Sequence, residues 1–203
     1  MPSLVQPRAL FLDRDGVINV DYGYVHRQDQ VQFIDGIFEV CRYAHHLGYT
    51  IIVVTNQAGI GRGYYGQKAF EDLMTWMKTI FAEQGCPITE VFWCPYHPTA
   101  GVGDYRQESF DRKPNPGMIL TAANQYNLEL NKSVLIGDKI SDIIAGQTAG
   151  IGRNLLYQAA DIDLSVLKPK FTQTPDQSIL PKQNQDHVSF NTLLKLIDAI
   201  HYL

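Results

Sequence analysis

The sequence predicts an α/β fold in which a doubly wound, mainly parallel β-sheet carries helices on both faces. Three observations support this prediction: short apolar runs rich in branched residues, helical apolar periodicity between those runs, and glycine or proline at the helix ends. A strand that is covered on both faces has a continuous apolar sequence. Strands that alternate with helices imply right-handed βαβ units, so we expect a Rossmann-like sheet.

Three apolar runs are predicted as strands: residues 9–12, 51–54 and 134–136. Each is followed by polar residues, with Asp13 after the first run, Thr55 and Asn56 after the second, and Asp138 after the third. In an open parallel sheet, ligands bind beyond the carboxyl ends of the strands, where the strand order reverses. These polar residues are therefore predicted to meet at one site.

Four segments are predicted as helices: residues 37–47, 67–84, 116–126 and 142–149. Gly48, Gly85 and Gly150 follow three of them, and Pro116 begins the remaining one. Glycine is typical of the position after a helix, and proline of the first helical position. An edge strand at residues 187–190 and a closing helix at residues 193–200 are also predicted.

The whole chain, residues 1–203, is predicted to form one globular domain, with residues 157–186 as an irregular surface excursion. With 203 residues, a hydrophobic fraction of 45% and a formal charge of -4, it can form a core but is too acidic for broad nucleic-acid binding. No apolar run approaches the about 18 residues of a membrane span, and the N-terminus lacks a signal-peptide pattern. We therefore expect a cytoplasmic monomer without nucleic-acid or membrane partners.

The strongest chemical signal is Asp13-Arg14-Asp15-Gly16, directly after the first predicted strand. Strand alternation places Asp13 and Asp15 on the same side of the chain, with Arg14 turned away. Two carboxylates so close repel each other unless a cation or a proton lies between them. The pattern favours a cation-binding site, and the alternative is a pair of capping or turn aspartates.

Three further motifs follow in order: Thr55-Asn56, Lys113 within residues 111–117, and Asp138 with Asp142. Each of these residues alone has an ordinary explanation as a turn, a solvated lysine or a helix cap. With all four motifs in this order over residues 8–155, the chain resembles the haloacid dehalogenase (HAD) superfamily of aspartyl-phosphate phosphatases.

The resemblance implies that Asp13 attacks the phosphorus of a phosphomonoester and becomes an aspartyl phosphate. Asp15 would protonate the leaving oxygen and then take a proton from water. The Thr55 hydroxyl, the Asn56 N–H and the Lys113 ammonium would hold the phosphoryl oxygens.

A cation is also implied, because a carboxylate and a phosphate dianion repel each other by several kcal/mol. Mg²⁺ prefers oxygen ligands. The resemblance supplies them as the Asp13 carboxylate, the Asp15 main-chain carbonyl and the Asp138 carboxylate. Asp142 would orient Lys113 or Lys139, and the alternative is a plain N-cap.

Residues 12–26, 55–63 and 112–118 resemble a narrower family, the D-glycero-D-manno-heptose-1,7-bisphosphate 7-phosphatases. This resemblance implies a small sugar bisphosphate as the partner molecule, on the route to nucleotide-activated heptose for bacterial surface glycans. Closely related enzymes hydrolyse histidinol phosphate, so that substrate is the alternative.

No large insertion separates Asp13 from Thr55 or Thr55 from Lys113, so a capless HAD-like domain is expected and loops must select the substrate. The candidate loops are residues 19–26, 57–63 and 94–111. By the family pattern, Asp21 and Tyr24 would contact sugar hydroxyls and Arg112 the distal phosphate. Gln57 and Lys139 are further candidate substrate-binding residues. Asp21 and Tyr24 could instead form a hairpin turn.

The loop at residues 94–111 departs from the family pattern, in which C-x-H and C-x-C pairs hold a structural zinc. Here only Cys94 stands in register, because His97 comes one place late and Ser109-Phe110-Asp111 replaces the second pair. A closed zinc site needs four ligands, so we predict no zinc. We expect packing of Trp93, Tyr96, Tyr105 and Phe110 to hold the loop. The alternative is a degenerate site of Cys94, His97 and Asp111.

Two other functions use similar residues. A phospho-accepting signalling module also combines an aspartate, a threonine, a lysine and Mg²⁺ on a doubly wound sheet, but it lacks an acid-base group such as Asp15. A polynucleotide 3′-phosphatase would tolerate a capless site, but the chain has no basic run with interleaved aromatics.

Overall fold

A computed structural model of the chain describes residues 6–159 and 190–203, and in these residues six strands form one parallel sheet in the order β3-β2-β1-β4-β5-β6. The strands are β1 (Arg8–Leu12), β2 (Tyr49–Asn56), β3 (Glu90–Cys94), β4 (Val134–Gly137), β5 (Arg153–Tyr157) and β6 (Asn191–Leu193). The strand order reverses between β1 and β4, so the predicted doubly wound α/β fold is confirmed.

Helices cover both faces of the sheet: α1 (Ile37–His46), α2 (Ala58–Gly61), α3 (Gln67–Glu83), α4 (Gly117–Tyr126) and α5 (Ile140–Ala149). Side chains of β1 alternate between the two layers. Leu10 and Leu12 join a core with α1 and α3, whereas Ala9 and Phe11 join a core with α4 and α5. All four are fully buried, which explains why the strand has a continuous apolar sequence.

The predictions for the C-terminal part need correction. Tyr157 is the last residue of β5 and pairs with Leu193, so it is not part of an irregular excursion. The rest of that predicted segment, from residue 160 on, lies outside the described residues, as do residues 187–189 of the predicted edge strand. A strand occurs slightly later, at β6, and the closing helix is a 3-10 helix at Leu196–Tyr202.

Residues 13–113, which are all described, contain β2, β3, α1, α2 and α3 with their connecting loops, and they form no separate domain above the sheet. Residues 16–36 fold back as a small flap, in which Asn19 bridges Phe33 in antiparallel fashion. No helix in the described parts of the chain is long and apolar enough to span a bilayer.

Candidate active site

Asp13 begins the site, one residue beyond the end of β1. Its backbone N–H donates to the carbonyl of Ile136 in β4 at 3.0 Å, so the side chain emerges where the strand order reverses. Its Oδ1 lies 2.9 Å from Lys113 Nζ and accepts the Arg14 N–H at 2.7 Å. Burial alone would raise the pKa of Asp13, but the charges of Lys113 and Lys139 and these hydrogen bonds outweigh it and hold the pKa below its usual value. Asp13 is therefore an ionised, buried carboxylate.

Lys113 joins three elements of the fold through its ammonium. Besides Asp13, Nζ lies 2.7 Å from Asp142 Oδ1 and donates to the carbonyl of Val54 in β2 at 2.8 Å. Burial would lower the pKa of Lys113, yet the two aspartates raise it above the ordinary value. The Asn56 side chain fixes the lysine backbone, since Oδ1 accepts the Lys113 N–H at 3.1 Å and Nδ2 donates to its carbonyl at 3.0 Å. Asn56 thus also positions Lys113.

Asp142 serves both roles that the sequence left open. Its Oδ2 accepts the N–H of Lys139 at 2.9 Å, which caps the start of α5, while Oδ1 pairs with Lys113. Burial is the main cause that raises the pKa of Asp142. Because both oxygens have protein partners, we interpret Asp142 as orienting the lysine.

Asp138 leaves one oxygen free for a cation. Ligand atoms of Asp13, Asp138 and Asp142 lie within 4.8 Å of one another. Oδ1 of Asp138 is buried and has no hydrogen-bond partner among the described residues. Burial, followed by the charge of Asp13, raises the pKa of Asp138 to about 8. An unpartnered buried oxygen in a cluster of three carboxylates fits a hard cation with oxygen ligands, so the residues present suit Mg²⁺.

Gly16 makes room for this cluster. Its φ is +95°, and an added Cβ would lie 2.3 Å from Asp138 Oδ2. The chain just after Asp15 therefore passes directly over the Asp138 carboxylate. This path brings the Asp15 backbone beside the predicted cation site, although ligation by its carbonyl stays a prediction.

The predicted orientation of Arg14 is wrong. The strand ends at Leu12, so alternation does not continue, and the fully buried Arg14 folds beside Asp15. Its Nη2 donates to both Asp15 oxygens, at 2.7 and 2.6 Å, and to the carbonyl of Val25 at 2.7 Å. Asn19 Nδ2 also donates to Asp15 Oδ1, at 3.1 Å. Arg14 is a site residue that the sequence analysis missed, and only its position between the two aspartates pointed to it.

Thr55 is buried at the end of β2, where its hydroxyl oxygen accepts a hydrogen bond from Gln57 Nε2 at 2.8 Å. The same nitrogen donates to Asp15 Oδ2 at 3.2 Å, and Tyr65 donates to Gln57 Oε1 at 2.6 Å. Gln57, predicted to bind substrate, is 1% exposed, and its amide contacts protein groups. Tyr65 had no signal in the sequence.

Asp21, Tyr24 and Lys139, three more of the predicted substrate-binding residues, are exposed and are called the rim. Lys139 Nζ lies 3.2 Å from Asp21 Oδ2 and 3.4 Å from Asp138 Oδ2, and this links the flap to the start of α5. Tyr24, with a φ of 54°, accepts a hydrogen bond from Arg62 Nη1 at 2.7 Å. Through Lys139, these exposed residues reach Asp138 at the edge of the buried centre.

Arg112, predicted for the distal phosphate, donates to the carbonyl of Tyr96 at 3.0 Å. Burial lowers the pKa of Arg112, and the like charge of Arg62 adds to that effect. Arg62 thus contributes to the electrostatic environment of Arg112. The loops that carry them also meet, since Val102 donates its N–H to the carbonyl of Gly61 at 2.8 Å.

Three of the four aromatic residues predicted to hold the loop at residues 94–111 pack against other rings of the described chain, and the fourth does not. Tyr96 and Tyr105 pack with ring centroids 6.0 Å apart and Trp93 packs on Phe70, but Phe110 is 62% exposed and does not support the loop. His97 Nδ1 accepts the N–H of Ala100 at 3.0 Å. In the described residues, the three-residue cluster with metal-ligand geometry lies at Asp13, not in this loop. The absence of zinc stays a prediction, which elemental analysis of protein purified without added metal would test.

Comparison with known proteins agrees with this geometry. A HAD-hydrolase-like family model matches residues 110–161. A D-glycero-α-D-manno-heptose-1,7-bisphosphate 7-phosphatase from Burkholderia mallei is 59% identical over 149 residues, which cover 73% of this chain and 79% of the relative. The β-heptose counterpart from Vibrio cholerae is 45% identical over 150 residues, covering 74% and 81%.

Solved structures share the fold. A HAD-like phosphatase from Mesorhizobium loti is 37% identical with a TM-score of 0.72, covering 78% of this chain and 77% of its own. A D,D-heptose 1,7-bisphosphate phosphatase from B. bronchiseptica, solved with magnesium and phosphate, has a TM-score of 0.73 at 24% identity and covers 96% of this chain and 97% of its own. With these relatives and this site, the chain belongs to the heptose-1,7-bisphosphate 7-phosphatase family of the HAD superfamily.

Proposed function

We propose that this chain removes the 7-phosphate of D-glycero-D-manno-heptose 1,7-bisphosphate through an aspartyl phosphate at Asp13. The observation that carries the proposal is the buried Asp13 carboxylate, held ionised 2.9 Å from Lys113 and beside the unpartnered oxygen of Asp138. A nucleophile for a phosphate dianion must be ionised, and its repulsion from the substrate must be offset by nearby positive charge.

The reaction has two steps on this geometry. In the first, an Asp13 oxygen forms a bond to phosphorus while the bond to the sugar oxygen breaks, and Asp15, which enters the step with its carboxyl group protonated, gives that oxygen its proton. In the second, water attacks the phosphorus, Asp15 takes the water proton, and the Asp13 carboxylate leaves. Asp15 returns to its starting state, so one group serves as acid and then as base.

Three groups are proposed to hold the phosphoryl oxygens: the Thr55 hydroxyl, the Asn56 N–H and the Lys113 ammonium. All belong to β2 or are fixed to it, because Lys113 donates to Val54 and its backbone is held by Asn56. Such a rigid arrangement stabilises developing charge without reorganisation. Mg²⁺, held by Asp13, Asp138 and the Asp15 carbonyl, would supply further neutralisation of the phosphoryl charge.

Substrate selection is assigned to the rim. Arg62 and Arg112 lie on loops that meet through the hydrogen bond from Val102 to Gly61, and two guanidinium groups on these loops suit a substrate with a second phosphate. Asp21, Tyr24 and Lys139 would contact the sugar hydroxyls. The relative at 59% identity is named for the α anomer and that at 45% for the β anomer, so we propose the α anomer as the preferred substrate.

A substrate panel tests the proposal. Both heptose bisphosphate anomers, histidinol phosphate and simple hexose phosphates would be compared by kcat/KM, with Mg²⁺ and with a chelator. We expect the heptose bisphosphates to be preferred, phosphate to be lost from C7, and chelation to abolish turnover. A clear preference for histidinol phosphate would replace the heptose assignment.

Asp13→Asn tests the nucleophile in the same assay. Activity should fall by about 10⁴-fold or more, since nucleophile losses have effects of this order. A variant that keeps most of its activity would refute the role of Asp13. A wild-type protein that accumulates long-lived phosphoaspartate without turnover would instead favour the signalling module.

A further inference from the structure

Gln57 connects two catalytic groups that come from different elements. The residue follows β2, and its backbone N–H donates to the carbonyl of Cys94 at 2.7 Å, which holds it against β3. One amide N–H reaches the Thr55 hydroxyl oxygen at 2.8 Å, and the other reaches Asp15 Oδ2 at 3.2 Å. The phosphate-binding hydroxyl and the acid-base carboxyl therefore share one donor nitrogen.

Tyr65 holds this amide in place through its oxygen. Its hydroxyl donates to Gln57 Oε1 at 2.6 Å, and burial raises the pKa of Tyr65 to about 12, so the hydroxyl keeps its proton. The tyrosine ring is itself fixed, because it stacks on His26 with centroids 4.8 Å apart and lies where a Cβ on Gly59 would clash. A reversed amide would also turn its carbonyl oxygen toward the Asp15 carboxylate. The Tyr65 hydroxyl could also accept from a reversed amide, so the contact with Asp15 selects this orientation and Tyr65 holds the amide in place.

This orientation has a consequence for Thr55. A hydroxyl group has a single hydrogen to donate. Because Thr55 Oγ1 accepts from Gln57, its own O–H is available for a phosphoryl oxygen. On the other side, Gln57 completes a set of donors around Asp15 that also includes Arg14 and Asn19. Each donor restricts the rotation of the carboxyl group.

We propose that Gln57 is a positioning residue for the reaction, which directs the Thr55 hydroxyl to the phosphate and aims the Asp15 carboxyl at the leaving oxygen. Tyr65 holds the Gln57 amide in place from its oxygen end. This inference rests on the phosphatase function proposed above. It gives Gln57 a role in the chemical step rather than in contact with the sugar.

The leaving group of the substrate tests this role. A sugar oxygen needs a proton from Asp15 as it departs, whereas the nitrophenolate of p-nitrophenyl phosphate leaves without one. Gln57→Met keeps the length of the side chain and removes both donors. We expect kcat/KM for the sugar phosphate to fall by about 100-fold, which is the usual effect on rate when a catalytic group is misplaced by about 1 Å. The loss with p-nitrophenyl phosphate should be no more than about tenfold, the size of one hydrogen bond to Thr55.

Tyr65→Phe is the milder second variant, since it removes only the hydroxyl and keeps the ring on His26. It should show the same selective loss, about tenfold with the sugar phosphate and little with p-nitrophenyl phosphate. Tyr43→Phe is the matched control, because Tyr43 is an exposed tyrosine on α1 and should behave as wild type. Thermal unfolding of each variant confirms that it folds.

The outcomes separate the inference from the function on which it rests. If wild-type protein cleaves neither ester, the proposed phosphatase function fails. If wild-type protein is active but Gln57→Met loses the same factor with both esters, Gln57 does not aim Asp15 at the leaving oxygen, and the inference fails. Full activity of both variants with the sugar phosphate would equally overturn the inference.

Discussion

Two lysines of the site pair with aspartates, and their surroundings differ. The side chain of Lys113 is 2% exposed and lies 2.9 and 2.7 Å from partners that are 8% and 2% exposed. The side chain of Lys139 is 55% exposed and lies 3.2 and 3.4 Å from partners that are 37% and 18% exposed. The buried lysine is hydrogen-bonded to the sheet at Val54 and belongs to the reacting centre, and the exposed one belongs to the rim.

The difference shows how a capless site divides its tasks. Buried charges depend on each other, because removal of one leaves another without solvent or partner. Exposed pairs gain little from their contact and can part at small cost, typically 0 to about 1 kcal/mol. The centre is therefore fixed in one arrangement, as the chemistry requires, while the rim can adapt to a substrate.

Lys113→Met tests the dependence within the centre and should have the largest effect. It leaves Asp13 and Asp142 buried without their cation, so we expect the free energy of unfolding to fall by about 3–5 kcal/mol, together with loss of activity. The stability loss should be smaller at pH 5 than at pH 8. A buried carboxyl whose pKa is raised above its unfolded value costs stability at high pH, and the cost declines as it takes up a proton. Urea unfolding at both pH values measures this.

Lys68→Met is the matched control, because Lys68 pairs with Asp72 in α3 and both side chains are mostly exposed. Its stability should change by no more than about 0.5 kcal/mol at either pH. If Lys113→Met were as harmless as Lys68→Met, the buried pairs would not determine the structure of the centre, and the contrast between centre and rim would be wrong.

Gly16→Ala tests whether the path of the flap at Gly16 supports Asp138 as a metal ligand of the centre. The added Cβ would push against Asp138 Oδ2, so Mg²⁺ should bind about 10- to 100-fold more weakly, the range found when support of a metal ligand is lost. Gly48→Ala is the control, since Gly48 also has a positive φ, of +80°, but open space around a Cβ. Both variants should lose some stability through backbone strain, and only Gly16→Ala should lose affinity in a Mg²⁺ titration. Equal Mg²⁺ affinities would show that Gly16 does not support Asp138.

The inner part of the fold could be predicted because β1, β2 and β4 are buried on both faces and so have continuous apolar sequences. β3 and β5 were not predicted. Most residues of β3 are only half-buried at the edge of the sheet, and the strand begins at Glu90. β5 begins with the exposed Arg153 and contains Asn154. Their polar residues interrupt the continuous apolar sequence by which a buried strand is predicted. Which positions of a strand become buried depends on its neighbours in the folded sheet.

The residues of the site also fall into two groups, those that the sequence predicts and those that only the folded structure shows. Asp13, Thr55, Lys113 and Asp138 could be predicted as one group, since each follows a strand or forms part of a specific motif. The contacts of Arg14 and Tyr65 could not, because they depend on how the chain turns after β1 and α2. Alternation of side chains applies within a strand, and β1 ends three residues before Asp15. The residues that hold the catalytic groups in place are visible only in the folded chain.

Asp21→Asn should have the smallest effect and tests the rim directly. The carboxylate of Asp21 contacts the exposed Lys139 and accepts the Gly23 N–H at 3.0 Å. An asparagine oxygen can still accept that N–H, so stability should change by less than about 1 kcal/mol. If Asp21 contacts a sugar hydroxyl equally in the ground and transition states, KM should rise by up to about tenfold with kcat unchanged. Steady-state kinetics of Asp21→Asn and Asp142→Asn compare kcat and KM for the two variants, and kcat should fall for Asp142→Asn. Loss of an interaction that is made only in the transition state lowers kcat and leaves KM unchanged. If Asp21→Asn lowered kcat as much as Asp142→Asn does, with KM unchanged, the rim would therefore be part of the reacting centre.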